Sequence, residues 1–527
     1  MFFICNKTET YVFIGKLLAD NRTTIIDTLT NKQLFLDDYA IENLDGLVKV
    51  LHQPKKCGTV IAPDRSKEQT FVQSSSSPNW NPDINRWEWW YAGFYDEAPV
   101  QGPVDPVWGD YHYTTSIDGI NWEYPTLGLY EWRGSWENNL AYHSRLDFIR
   151  RRGEKNPPDI EERRFHHILR DENDPDENRR YKALFSNSGN QGRYPAFSPD
   201  GFKWRFPHVD GIYSEDTSQM IFDNIQNQFV ATVKKRTEWG RSLWLSTSKD
   251  FLEWTDPQLV LHTDEIDQIN RKERIKKAVE DPNYLSPPTI DSEADYIAQL
   301  YMMPLMTYEG IYVGFPLLFN PAGPDLPQMN HCGLNQTELA MSRDLYEWKR
   351  VADRSIFLGI DPWDGKNYDT CQVAVTGAPI VRNNEIWIYY EGARFRGVAE
   401  SYPEKFRPYF KDMGALELAK LRLDGFVSLT AKNKGEFLTK PFNVTNETLK
   451  INVNASKGQL DVAILDAKTL EPLPNLSFSN CDPIRSDSIN TSVTWQGLSL
   501  LNYGKPIRAC FRMQKSDIYS FLTEKKE

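Results

Sequence analysis

The chain has 527 residues, 13% of them aromatic with 16 Trp, and a formal net charge of −12. That length exceeds what a single hydrophobic core serves, so more than one structural unit is expected. The acidic balance argues against a nucleic-acid partner, and no apolar run approaches the ~18 residues that a membrane helix needs.

Residues 1–33 read as an N-terminal extension. Met1-Phe-Phe-Ile-Cys5 is apolar, but Asn6-Lys-Thr-Glu-Thr10 interrupts it before a signal-peptide core forms. Sequons at Asn6, Asn21, Asn335, Asn443, Asn446, Asn454, Asn475 and Asn490 tilt the reading toward a secreted or lumenal glycoprotein. The six cysteines lie far apart without metal-type spacing. Cys481 and Cys510 read either as a bridge or as two buried thiols, and neither a metal nor a cofactor is expected.

From about residue 34 the pattern is β-branched and aromatic runs bounded by Gly, Pro, Asn and Asp, which spells strands. One short phrase recurs among them: Ser, any residue, Asp, three residues, Trp. It appears at Ser116–Trp122, Ser198–Trp204, Ser248–Trp254 and Ser342–Trp348, with a degenerate fifth copy at Leu423-Asp424-Gly425-Phe426. Each copy ends one strand and starts the next, so the Asp caps a tight turn and the Trp buries a flat face between sheets. Aligning on these turns gives five blocks of four strands, the pattern of a five-bladed β-propeller over 34–430. Gln33–Ile41 is placed to close the ring by joining the last sheet. The clearest helical stretch, 264–279, is a charged excursion between blades. Alternating strands over 436–527 then predict a β-sandwich. The expected fold class is all-β: a five-bladed β-propeller followed by a β-sandwich domain.

In a propeller the leading residues of the innermost strands converge on one funnel. Those leads supply Glu68, Asn138 with Asn139, Asp216, Asp295 or Glu309, and Asp369. Carboxylates gathered with Asn and Trp suit glycosidic cleavage, where one carboxyl stays protonated to donate to the leaving oxygen and another is ionised. Asp216, Asp369 and Glu68 are the catalytic candidates, joined by Glu338 as a general acid. Asp38, Asn138, Asn139, Arg236 and Trp363 are candidate sugar contacts, with Asp37 beside Asp38 and Arg241 beside Arg236. Asp216 and Asp369 also read as turn caps, Glu68 as a solvated loop residue and Asp37 and Asp38 as structural, and the Asp residues of the repeated turns read as structural.

The Ser-x-Asp-x-x-x-Trp turn, with Trp four residues after Asp, resembles the blade turn of the furanosidase-type glycoside hydrolases of families 32, 43 and 68. A propeller followed by a sandwich is similar to the family 32 architecture. The family's nucleophile motif, Asn-Asp-Pro-Asn-Gly, is replaced near the same place by Phe35-Leu-Asp37-Asp38-Tyr39. The resemblance therefore implies the fold and a carbohydrate partner, and does not carry fructose specificity. The resulting expectation is a glycoside hydrolase cleaving a terminal glycosidic bond. A non-catalytic carbohydrate-binding propeller is the alternative. A glycoside phosphorylase, which would need cations such as Arg236, Arg241 and His143 beside the acid, is a third.

Overall fold

The structure, a computed structural model, describes residues 24–67, 69–95, 111–132, 134–142, 163–187, 191–281, 297–321, 333–395 and 404–525. The described residues are almost all β, with one α-helix, α1 (Glu265–Glu280). Antiparallel strands form five successive sets. The first is Gln69–Gln73, Arg86–Tyr95, Tyr111–Ser116 and Leu140–Tyr142. The second runs from Arg163–Arg170 to Ile212–Tyr213, and the third from Gln219–Asp223 to Gln258–Leu261. In the fourth, each long strand is broken into two short ones, an inner group led by Gln299–Met302 and an outer group led by Leu305–Tyr308. The fifth is Gln372–Val375, Glu385–Ala393, Gly414–Arg422 and Lys55–Ile61.

That last strand precedes the first set in the chain, yet it completes the fifth. The pairing with the last set expected of Gln33–Ile41 is therefore made by Lys55–Ile61, through pairs such as Leu416 with Ile61. Gln33–Leu34, Ile41–Asp45 and Val48–Leu51 instead pair with the C-terminal strands Ile507–Lys525 and Val427–Thr439. A unit boundary at residue 34 thus cuts through a hydrogen-bonded sheet, because 33–51 belongs with the C-terminal part. Leu140–Tyr142 likewise pairs with Tyr111 and His112, so Asn138 and Asn139 precede the outer strand of the first set and do not lead the second.

Neighbouring sets pack face to face through separate apolar clusters. Trp90, Tyr113, Phe165 and Tyr181 join the first to the second, and Leu184, Met220 and Phe229 join the second to the third. Ile221, Val230, Leu305 and Tyr312 join the third to the fourth. Trp89, Trp122, Trp387 and Tyr389 join the fifth back to the first. A larger core runs from Phe315 and Tyr390 through Leu429 into Phe437, Ile451, Trp495 and Phe511, so the C-terminal strands share their core with the fourth and fifth sets. Those strands form one nine-stranded sheet. Cys510 in this sheet and Cys481 beside it are buried free thiols.

The four repeated turns share one hydrogen-bond scheme. Each Ser Oγ donates to its Asp Oδ1 at 3.0–3.1 Å. The same oxygen then accepts the backbone N–H groups two and three residues on, at 2.8–2.9 Å. Burial raises the carboxyls of Asp118, Asp200 and Asp250, but these donors outweigh it and hold them below the usual carboxylate range. The residue after each Asp takes positive φ: Gly119, Gly201, Phe251 and Leu345. At Gly201 the space a Cβ would need is filled by the Trp90 ring. The degenerate fifth copy is wired differently. Asp424 receives Lys32 Nζ (3.0 Å), the Tyr308 hydroxyl, Asn452 Nδ2 (3.0 Å) and Ser520 Oγ (2.7 Å), tying the fifth set to the fourth and to the C-terminal strands.

Candidate functional site

The inner strands of four sets begin with a buried glutamine: Gln69, Gln219, Gln299 and Gln372. Just ahead of two of them the chain writes Asp216-Thr-Ser-Gln219 and Asp369-Thr-Cys-Gln372. A polar residue at the end of an inner strand faces neighbours from several sets, and both aspartates find partners there.

Asp216 is the better connected. Its Oδ2 accepts from Tyr301 Oη at 2.7 Å, from the inner strand of the fourth set, and lies 3.1 Å from Lys234 Nζ in the third. Its Oδ1 is 3.8 Å from Arg164 in the inner strand of the second. Its backbone carbonyl accepts Arg193 Nε at 3.1 Å. Burial would raise this carboxyl, but the charges of Lys234 and Arg164 and the Tyr301 hydroxyl hold it well below the usual range. Burial pushes the Lys234 ammonium down against the pull of Asp216, and Arg241 and Arg193 push it further. The ammonium also lies 3.5 Å from the Tyr301 ring centroid. His166 is kept neutral by burial and by the nearby guanidiniums of Arg193 and Arg164.

Asp369 belongs to a second group, on the face of the fifth set that packs against the fourth. Its Oδ2 is 2.6 Å from Lys56 Nζ and 3.4 Å from the donating Tyr390 hydroxyl, while Asn367 Nδ2 donates to Oδ1 at 3.0 Å. Beside it lies Glu417, almost fully buried, with Thr59 Oγ1 donating to Oε1 at 3.1 Å. Burial pushes the Glu417 carboxyl up to about 7, and the charge of Asp369 adds to the effect. One carboxyl of this pair is therefore set to hold a proton near neutrality while its neighbour is ion-paired.

The remaining candidates scatter. Glu68, Asp295 and His143 lie outside the described residues. Glu338 does not fit a general acid: Arg274 (2.7 Å) and Arg350 occupy its two oxygens in the core. Arg350 and Arg354 also pair with Asp267, and Arg354 with Asp264, the N-cap of α1, so this network clamps the helix onto the fourth set. Asp38 projects into solvent, its side chain 81% exposed, and pairs with Lys49. Asp37 is held by Arg343 at 2.7 and 2.9 Å. Both line a groove with Tyr39 and Lys440, away from the inner strand ends. Glu309 occupies a turn and pairs with Lys32. Arg236 is an exposed partner of Glu215.

Asn138 organises its own loop by donating to Tyr130 O and Ser135 O. Asn139 bonds His112 Nδ1 (3.2 Å) and Tyr113 O (2.9 Å), orienting the histidine beside Gln69 and Tyr95. Trp363 is half-exposed, with Arg394 5.3 Å from its ring centroid and Tyr409 edge-on at 5.3 Å. Among the described residues no group of three His, Cys, Asp or Glu could hold a metal ion, and no helix is long and apolar enough to cross a membrane.

The structure thus adds Arg164, Arg193, Lys234 and Tyr301 around Asp216, and Lys56 and Glu417 around Asp369. The duplicated Asp-Thr-x-Gln phrase was the sequence signal for the two centres. Lys234, directly after the apolar run Phe229–Val233, was a signal for the first.

No family model matches the chain, and no curated protein matches it. Solved structures of low identity are similar to it in part. One is an N-acetylgalactosamine deacetylase from F. plautii in complex with blood group B trisaccharide: 12% identity, 72% of this chain and 97% of that one covered, TM-score 0.39. Another represents the family 130 mannoside phosphorylases and the glycoside hydrolases among them that target β-1,2 mannosidic linkages: 12%, 74% and 96%, TM-score 0.39. A third is the α-L-arabinofuranosidase from Podospora anserina in complex with cellotriose: 10%, 71% and 98%, TM-score 0.39. At identities of 10–12% the chemistry of this chain has to be read from its own residues.

Proposed function

We propose that the five strand sets are the blades of a five-bladed β-propeller carrying a β-sandwich, and that the chain is a glycoside hydrolase acting on a terminal glycosidic bond. The circular order of the packing clusters and the completion of the fifth set by Lys55–Ile61 support the propeller. Asp216 carries the functional reading. It is a carboxylate at the leading end of an inner strand, held ionised by donors from three different sets.

An ionised carboxylate in that position suits the nucleophile or the base that activates water, and it cannot serve as the acid. Glu68, one residue before Gln69, is the proposed proton donor. Asp369 is the supporting carboxylate, and Trp363 with Tyr409 offers a stacking rim for sugar rings. In this reading Asp216→Asn folds and loses turnover on the glycosides that the wild type cleaves in a panel screen. Retained turnover would remove Asp216 from the reaction. Glycan binding by a wild type that cleaves nothing in the panel would favour a carbohydrate-binding propeller.

A further inference from the structure

Three cationic side chains gather beside Asp216: Arg193, Lys234 and Arg241. Of these, Lys234 pairs with its carboxylate, while Arg193 reaches only its backbone carbonyl. Lys234 and Arg193 are almost completely buried. Arg193 spends its donors on neutral carbonyl oxygens, those of Asp216 and Gly192. Arg241 has no carboxylate partner among the described residues; it lies over the rings of Tyr301 and Phe319 at 5.3 and 5.7 Å.

Confining like charges away from water is costly unless a counter-charge completes the set. Two uncharged polar atoms lie beside them. His166 Nδ1 and Thr217 Oγ1 are buried without hydrogen-bond partners, while His166 Nε2 is engaged by Ser186 at 2.9 Å. Buried orphan polar atoms in a native structure point to a group that is missing. The whole chain is acidic, at −12, so its general field repels anions and this cationic cluster is a local exception.

We propose that the cationic cluster at the leading ends of the second, third and fourth sets binds an oxyanion next to the scissile sugar. The ligand is of the phosphate, sulfate or carboxylate class, held by Arg193, Arg241 and Lys234 with His166 and Thr217. Guanidinium groups match the geometry of such oxygens in pairs, which an ammonium alone does not. The anion arrives either free, as inorganic phosphate or sulfate, or as an acidic substituent on the sugar, a uronate. This inference rests on the glycan-active reading for its substrate, but the binding itself does not depend on turnover.

The test is isothermal titration of the full chain with inorganic phosphate, sodium sulfate, D-glucuronate and neutral glucose, at matched ionic strength. Saturable binding of at least one of the three anions is expected, with none for glucose. Arg241→Gln, at a half-buried position, is expected to weaken it about tenfold, the loss of roughly one charge-assisted contact. Lys234→Gln serves as a second variant, with its fold checked by circular dichroism. A preference for phosphate or sulfate assigns a free oxyanion, and a preference for glucuronate assigns an acidic sugar. No anion binding by the wild type, or equal affinity in Arg241→Gln, overturns the proposal. Anion binding without glycan cleavage leaves it standing and overturns the hydrolase; cleavage of neutral glycans without anion binding does the reverse.

Discussion

Replacing Glu417 with Gln should remove the pH dependence of stability that this one side chain imposes. Its carboxyl titrates at about 7 in the fold against an ordinary value of 4.5, because it is buried and faces Asp369. A group raised on folding contributes stability that is complete below the unfolded value and is lost as the pH rises through the folded one. At 1.36 kcal/mol per pH unit, that interval amounts to about 3 kcal/mol, most of it lost between pH 5 and 8. Gln keeps the shape and the acceptor for Thr59 but has no proton to lose. Urea unfolding of wild type and Glu417→Gln, followed by tryptophan fluorescence at pH 5, 6, 7 and 8, measures the difference directly. The variant should gain on the wild type by roughly 2–3 kcal/mol across that range, with unchanged m-values. Two curves that stay parallel from pH 5 to 8 would refute the assignment of a proton to this buried pair.

Three further outcomes follow from the packing. Asp424→Ala removes one carboxylate from four donors in three parts of the chain, so thermal and chemical denaturation should show a loss of about 3–5 kcal/mol; a loss under about 1 kcal/mol would mean the hub is dispensable. Gly201→Ala forces a methyl onto the Trp90 ring at positive φ and should cost about 2 kcal/mol or more. Gly365→Ala, also at positive φ but in open space, should cost only about 1 kcal/mol, and equal losses would show that the Trp90 contact is unimportant. Glu338→Gln weakens the clamp on α1 and should cost about 3 kcal/mol, seen as earlier proteolysis within 265–280.

Much of the strand order was legible because the Ser-x-Asp turn is local: one Asp, its own backbone and a Trp four residues on define it completely. The strands of the first three sets and the helix start at Asp264 could be read for the same reason. Long-range pairing was not legible. Nothing local distinguishes Lys55–Ile61, the strand that completes the fifth set, from Gln33–Ile41, which joins the C-terminal sheet, since both are short and alternating. The site was half legible. Asp216 and Asp369 stand at strand leads where a carboxylate has a polar destination. Glu338 looked equivalent along the chain, but its arginine partners arrive from α1 and from a neighbouring strand, contacts only the fold supplies. Glu417, inside the run Ala415–Leu421, carried no cue beyond being a charge in an apolar strand.

The strand Lys55–Ile61 also bears on how the chain is made. It is synthesised before any of the five sets, but its partner Gly414–Arg422 emerges only after nearly all of them. During that interval the early strand has no sheet to join, and the first set lacks the neighbour that covers Trp89 and Trp122. Contacts between such distant segments are slow to form, because the loop they close is long. Folding should therefore end in the late pairing of Lys55–Ile61 with Gly414–Arg422, preceded by a state that exposes tryptophan-rich surface. Lys55 and Lys56 at the head of the waiting strand place positive charge where an unpaired edge would otherwise invite pairing with another nascent chain.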